Sequence, residues 1–91
     1  MSKDITENIL LKAGFYEDIR GYVKHYGECG IIVEEINRYG LQRFVYKNRN
    51  WNLTVHNFNV CSNILEVDIQ TVEHFNKLME LMDIDFRLKK E

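Results

Sequence analysis

Ninety-one residues, 45% of them apolar and 12% aromatic, suffice for one hydrophobic core spanning residues 1–91 and exclude both a second domain and a disordered chain. No apolar run exceeds three residues, as at 9–11 and 31–33; this excludes a bilayer-spanning helix and a signal-peptide core, so a cytoplasmic protein is expected. The net charge of −2 hides a segregation: residues 36–65 hold no Asp or Glu and the four cations Arg38, Arg43, Lys47 and Arg49, whereas residues 1–35 and 66–91 each hold four bases against seven acids.

The first predicted element is a helix over residues 5–13. Asp4 stands where an N-cap is expected, and Glu7 three residues on fits the reciprocal capping arrangement that satisfies free N–H groups. Ile5, Ile9 and Ala13 recur at helical spacing with Leu10 beside them, while Leu11 lies off that stripe. Gly14 then supplies the left-handed residue that ends helices, with Phe15 folding back onto the last turn. Residues 16–26 support two readings. Ile19, Tyr22, Val23 and Tyr26 sit at i, i+3, i+4 and i+7, a helix pattern. Gly21 interrupts it, however, and Tyr22, Val23 and Tyr26 suit a strand. With residues 27–30 as a turn and 31–36 as a strand, a hairpin is the preferred reading.

Asn37 and Gly40 mark the next turn. Residues 41–47 alternate as a strand, and 47–50 turn again. The clearest strand covers residues 51–56, with Trp51, Leu53 and Val55 on one face and Asn52, Thr54 and His56 on the other. A further strand over 64–69 precedes a last helix that starts at the N-cap Thr71. Val72, Phe75, Met79 and Met82 form its apolar stripe with Leu78 at the margin, and Glu73 and Lys77 make an i, i+4 pair. Leu81 falls among Glu73, His74 and Lys77 on the opposite face, so either the 84–88 tail or another molecule must cover it. Residues 1–3 and 87–91 read as unfolded ends. Short, closely spaced strands pair antiparallel. The predicted fold is α+β: an N-terminal helix, an antiparallel β-meander of four to five strands, and a C-terminal helix packed on the sheet.

Three stretches carry a resemblance. They are Ile5-Thr6-Glu7 with Leu10-Leu11 and Gly14-Phe15, then Trp51-Asn52-Leu53-Thr54-Val55, then Val72-Glu73-His74-Phe75-Asn76-Lys77-Leu78. On these the chain resembles a loose group of small uncharacterised proteins of gut bacteria and their phages or mobile elements. Phe75 and Asn76 stand where that group most often has Leu and Gln. The resemblance implies a helix at each end of an antiparallel meander, and it brings no activity and no site residue with it.

Candidate chemistry is sparse. His25 and Cys29 with His56 and Cys61 make up the ligand set of a structural zinc site, which needs four ligands converging at ~2.0–2.3 Å. Neither spacing matches a standard knuckle, and the sequence leaves open whether the four converge; no metal or cofactor is expected. The two cysteines are expected as free thiols, because a chain without an export signal meets a reducing compartment. Cys61, His74 and Asp68 can be drawn as a nucleophilic triple, but neither a strained nucleophile turn nor oxyanion donors accompany them. Gly27, Gly30 and Gly40 serve turns rather than a phosphate cradle. Glu34 and Glu35, on opposite faces of one strand, cannot form a carboxylate dyad. No enzyme activity and no small-molecule substrate is expected.

Two kinds of partner remain. Nucleic-acid binding would use the basic 38–49 region with Tyr39, Phe44, Tyr46 and Trp51 for stacking. Strand parity, though, sets Arg43 and Lys47 on one face and Phe44 and Tyr46 on the other, and Arg38 and Arg49 fall in separate turns. Four scattered cations between acidic flanks give weak, salt-sensitive affinity. The expected function is therefore a non-enzymatic protein-interaction module, with a protein partner or a second copy of the chain, and with Arg38, Arg43, Lys47, Arg49 and Leu81 as contact residues. The resemblance implies one form of this: a mobile-element accessory protein that inhibits a host factor.

Overall fold

Alternation along the strands sets the two faces of the sheet in the computed structural model, which describes residues 4–35 and 51–90. In β4 (Trp51–Asn57), Trp51, Leu53 and Val55 are buried, while Asn52, Thr54 and His56 between them are only half-buried. Register carries that parity to the neighbours. In β3 (Cys29–Glu35), Ile31 and Val33 sit opposite Val55 and Leu53. In β5 (Ser62–Ile69), Leu65, Val67 and Ile69 sit opposite Val55, Leu53 and Trp51, with a bulge at Val55/His56. β2 (Gly21–Tyr26) pairs with β3, and β1 (Tyr16–Asp18) with β2. Among the described residues these five strands make one antiparallel sheet in the order β1-β2-β3-β4-β5, a meander. Helices α1 (Glu7–Lys12) and α2 (Val72–Leu81) close its inner face, where Ile9, Leu10, Phe75 and Met79 join the sheet residues in one buried cluster. Among the described residues no helix is long and apolar enough to cross a membrane.

Residues 16–26 form the hairpin arm, not a helix. Gly21 decides this: its φ of +143° carries β2 so close to β3 that a Cβ would meet the Val33 carbonyl oxygen at 2.5 Å. Ile19, part of the alternative helical stripe, lies at the tip of the β1–β2 turn and is 85% exposed. The turn read over residues 27–30 is shorter than expected. Only Gly27 and Glu28 link the paired Tyr26 and Cys29, and Cys29 and Gly30 already belong to β3.

The first helix also starts later than the sequence suggested. Its N-cap is Thr6, whose Oγ1 accepts the Ile9 N–H at 3.2 Å. Asp4 instead bridges to Thr71, and the Ile5 N–H donates to the Gln70 carbonyl at 2.9 Å. Extended pairing satisfies these backbone groups outside any helix, and Trp51 Nε1–H donates to the Ile5 carbonyl at 3.1 Å, fixing the entry to α1 against the sheet. The helix ends as the sequence indicates: Gly14 at φ +97° lets Phe15 N–H reach the Leu10 carbonyl and Gly14 N–H reach that of Leu11, a Schellman closure. The same closure ends α2 on a non-glycine residue, Asp83 at φ +60°, with Ile84 N–H on Met79 and Asp83 N–H on Glu80.

That second closure redirects the chain inward. Ile84 and Leu88 are buried, and the Asn76 amide clamps Leu88 from both sides, accepting its N–H at 2.7 Å and donating to its carbonyl at 3.0 Å. The tail read as unfolded from residue 87 is thus, through Lys90, a strap held against the helices. Because it runs to the core, it does not cover Leu81, which stays 72% exposed.

Tyr22 ties α1 to the sheet from the inner face. Its ring meets Trp51 edge-on at 6.1 Å, and the Glu7 carboxylate is near enough to bear on its hydroxyl as a hydrogen-bond acceptor. Burial first, then that hydrogen bond and the charges of Glu7, Glu17 and Glu35, push its pKa from 10.0 up to about 12. A raised pKa means this contribution is fully present below pH 10.0 and is lost as pH climbs through about 12, because the unfolded chain releases the phenolic proton first. Urea unfolding in steps across that window should show falling stability in the wild type and a flatter profile in Tyr22→Phe. Equal slopes in the two proteins would contradict the Tyr22–Glu7 link.

Candidate functional site

The outer face of the sheet, opposite the helices, is organised by the same register into three rows. The first is acidic. Asp18 faces Gly21, Gly21 packs against Glu34, and Glu34 and Asp68 flank Asn52, whose Nδ2 donates to Asp68 Oδ1 at 3.3 Å. The second row runs Tyr16, Val23, Ile32, Thr54, Glu66. The third runs His25, Gly30, His56, Asn63.

The third row is built around a missing side chain. Phe58, just past β4, is anchored by its N–H on the Glu28 carbonyl at 2.9 Å and lays its ring over Gly30. A Cβ there would meet Phe58 Cζ at 3.0 Å, so glycine is what admits the ring. On one side Phe58 faces His25 at 5.7 Å, and on the other it meets His56 edge-on at 5.1 Å. Tyr16 extends the series, stacked on His25 at 6.0 Å with its hydroxyl hydrogen-bonded to His25 Nε2 at 3.0 Å. His56 Nδ1 is hydrogen-bonded to Asn63 Oδ1 at 2.9 Å, which fixes the far end. Four rings therefore cross the face in sequence, with Tyr16 and Phe58 about half exposed. Rows and ladder enclose a shallow concavity of about 580 Å³.

The residues singled out by sequence are distributed differently. Arg38, Arg43, Lys47 and Arg49 lie outside the described residues, as do the strand at 41–47 and its two turns. Leu81 projects from α2 on the opposite side of the molecule from the ladder. Of the zinc ligand set, His25 and His56 share the outer face, but the Phe58 ring stands between them. Cys29 packs against the inner core, and Cys61 is exposed in the β4–β5 turn at φ +52°, its thiol donating to the Phe58 carbonyl at 3.4 Å. Among the described residues no three His, Cys, Asp or Glu side chains come together as a metal-holding group. The drawn triple is divided by the sheet: Asp68 is on the outer face, and His74 belongs to α2 on the inner side.

The ladder was not visible to sequence reasoning. Phe58 sits between Asn57 and Asn59, and Gly30, read from the sequence as a turn residue, lies instead in β3, where it admits the Phe58 ring. What the face offers chemically is plain enough. Asp18, Glu34, Glu66 and Asp68 set carboxylates along one side of the face and the exposed rings along the other, with Arg20 the one Lys or Arg lining the concavity among the described residues. No family model matches this chain, and neither a curated protein nor a solved structure does.

Proposed function

We propose that this chain is a non-enzymatic protein-interaction module of the cytoplasm, and that its outer sheet face receives a basic surface of a partner protein. The observation that carries the reading is the concave outer face, on which a row of carboxylates runs beside half-exposed rings and over which no helix packs among the described residues. Aromatic side chains anchor interfaces because they bury large area with little loss of conformational freedom, and a row of carboxylates steers and selects cationic partners. The segment bearing Arg38, Arg43, Lys47 and Arg49 gives a second copy of the chain the complementary charge. The resemblance to mobile-element proteins would make the partner a host factor and the outcome its inhibition.

The alternative, weak nucleic-acid binding through residues 38–49, is disfavoured by the acidic face, which repels phosphate. Affinity capture from nuclease-treated and untreated lysates, with the wild type beside Glu34→Lys/Glu66→Lys, separates the two. Interaction through this face predicts a captured protein, or self-association in sedimentation, that survives nuclease and is lost in the variant. Retention that vanishes with nuclease, or that the variant keeps, contradicts the reading.

A further inference from the structure

The strap and α1 enclose a second concavity, of about 470 Å³, whose character is opposite to that of the sheet face. Its floor is apolar: Ile9 and Ala13 come from the α1 end and Phe86 from the strap. Its rim is cationic, with Lys12, Arg87, Lys89 and Lys90, and among the described residues no carboxylate lines it. These are four of the seven Lys and Arg side chains among the described residues, gathered at one place in a chain of negative net charge.

Little compensates that charge locally. The Arg87 guanidinium donates only to neutral acceptors, the Ile84 and Phe86 carbonyls at 2.6 and 2.8 Å. Lys90 pairs with Glu73 at 2.7 Å, while Lys12 and Lys89 have no carboxylate partner among the described residues. Like charges held together repel, and an anion brought from outside relieves those that Glu73 leaves unpaired. The floor is rigid as well. Phe86 is fixed edge-on by Phe15 and Phe75, with Lys24 Nζ 5.3 Å from its ring centre, and the Asn76 clamp on Leu88 holds the strap that carries three of the four rim cations. Clustered cations above a rigid apolar floor favour a ligand that is anionic at one end and apolar at the other, and the volume falls in the usual range for small-molecule sites, roughly 300–1,000 Å³.

We propose that this crevice binds a small organic anion, a carboxylate or its sulfonate equivalent carried on an aliphatic or aromatic body. This site is separate from the sheet face and stands or falls independently of it. Anilinonaphthalene sulfonate, added to the full chain, should show a saturable rise in emission. Dodecanoate should displace it, and dodecan-1-ol, the same chain without charge, should not. The rim lysines are exposed, so Lys12→Glu/Lys89→Glu should melt like the wild type yet bind the probe about tenfold or more weakly. The milder Lys12→Gln/Lys89→Gln should fall between the two and serves if the reversal disturbs folding. Absence of a saturable signal, displacement by dodecan-1-ol equal to that by dodecanoate, or unchanged affinity in a folded variant would each overturn the proposal.

Discussion

Replacing Phe75 by alanine should destabilise the fold by about 3–5 kcal/mol, a large part of the ~5–15 kcal/mol that holds a domain together. The ring is fully buried and meets Phe15 at 6.4 Å and Phe86 at 6.1 Å, both edge-on, while Phe15 and Phe86 touch each other at 5.8 Å. These three rings come from the end of α1, from α2 and from the strap. Losing the central one therefore opens a cavity and removes the ring that both other elements pack against. Urea unfolding followed by the emission of the single tryptophan, Trp51, measures the loss. A value below about 1 kcal/mol, the size of an ordinary substitution, would show that Phe75 does not join the helices to the strap as described.

Gly21→Ala should cost at least about 3 kcal/mol, because two penalties combine there. The φ of +143° is a conformation that L residues adopt only under strain, about 1–3 kcal/mol. In addition, the new Cβ would stand 2.5 Å from the Val33 carbonyl oxygen and 3.0 Å from Glu34 Cα. Both atoms are backbone in the middle of the sheet, so the strands themselves must separate. Gly27→Ala is the internal control. Its φ is +56°, with nothing within 4 Å of the added atom, and the conformational cost alone is about 1–2 kcal/mol. Equal losses at the two positions, measured by the same unfolding experiment, would mean that the close approach of β2 to β3 is not what requires glycine at position 21.

What the sequence made legible was local. The stripe of Val72, Phe75 and Met79 behind the Thr71 cap, the alternation through Trp51, Leu53 and Val55, and the Gly14 stop are each set by residues within one or two turns of one another. The structure reproduces them. The start of the first helix is ambiguous in the sequence because Asp4 and Thr6 both satisfy the local capping rule. The choice was made by pairing with Gln70 and Thr71, more than sixty residues away. Residues 16–26 fit both a helix and a strand pattern; Gly21 and the β-formers Tyr22, Val23 and Tyr26 favour the hairpin, and the close approach of Gly21 to Val33 shows the physical reason. The outer-face ladder joins Tyr16, His25, His56 and Phe58 through register, and the basic crevice joins Lys12 to residues 87–90. Neither follows from spacing along the chain. Leu81 stands exposed on the polar face of α2, where the sequence places it, and the strap does not cover it because the strap is itself buried against the core.

The three histidines allow the interaction surface to be read directly. His25 and His56 stand on the outer face, on either side of Phe58, whereas His74 is exposed on α2 in the helix layer. Their ring signals in a carbon–proton correlation spectrum can be followed as the captured partner, or excess chain in the case of self-association, is added. Binding through the outer face shifts or broadens His25 and His56 and leaves His74 unchanged. A response confined to His74, or none at any of the three on complex formation, would place the interface elsewhere and contradict the proposed role of the sheet face.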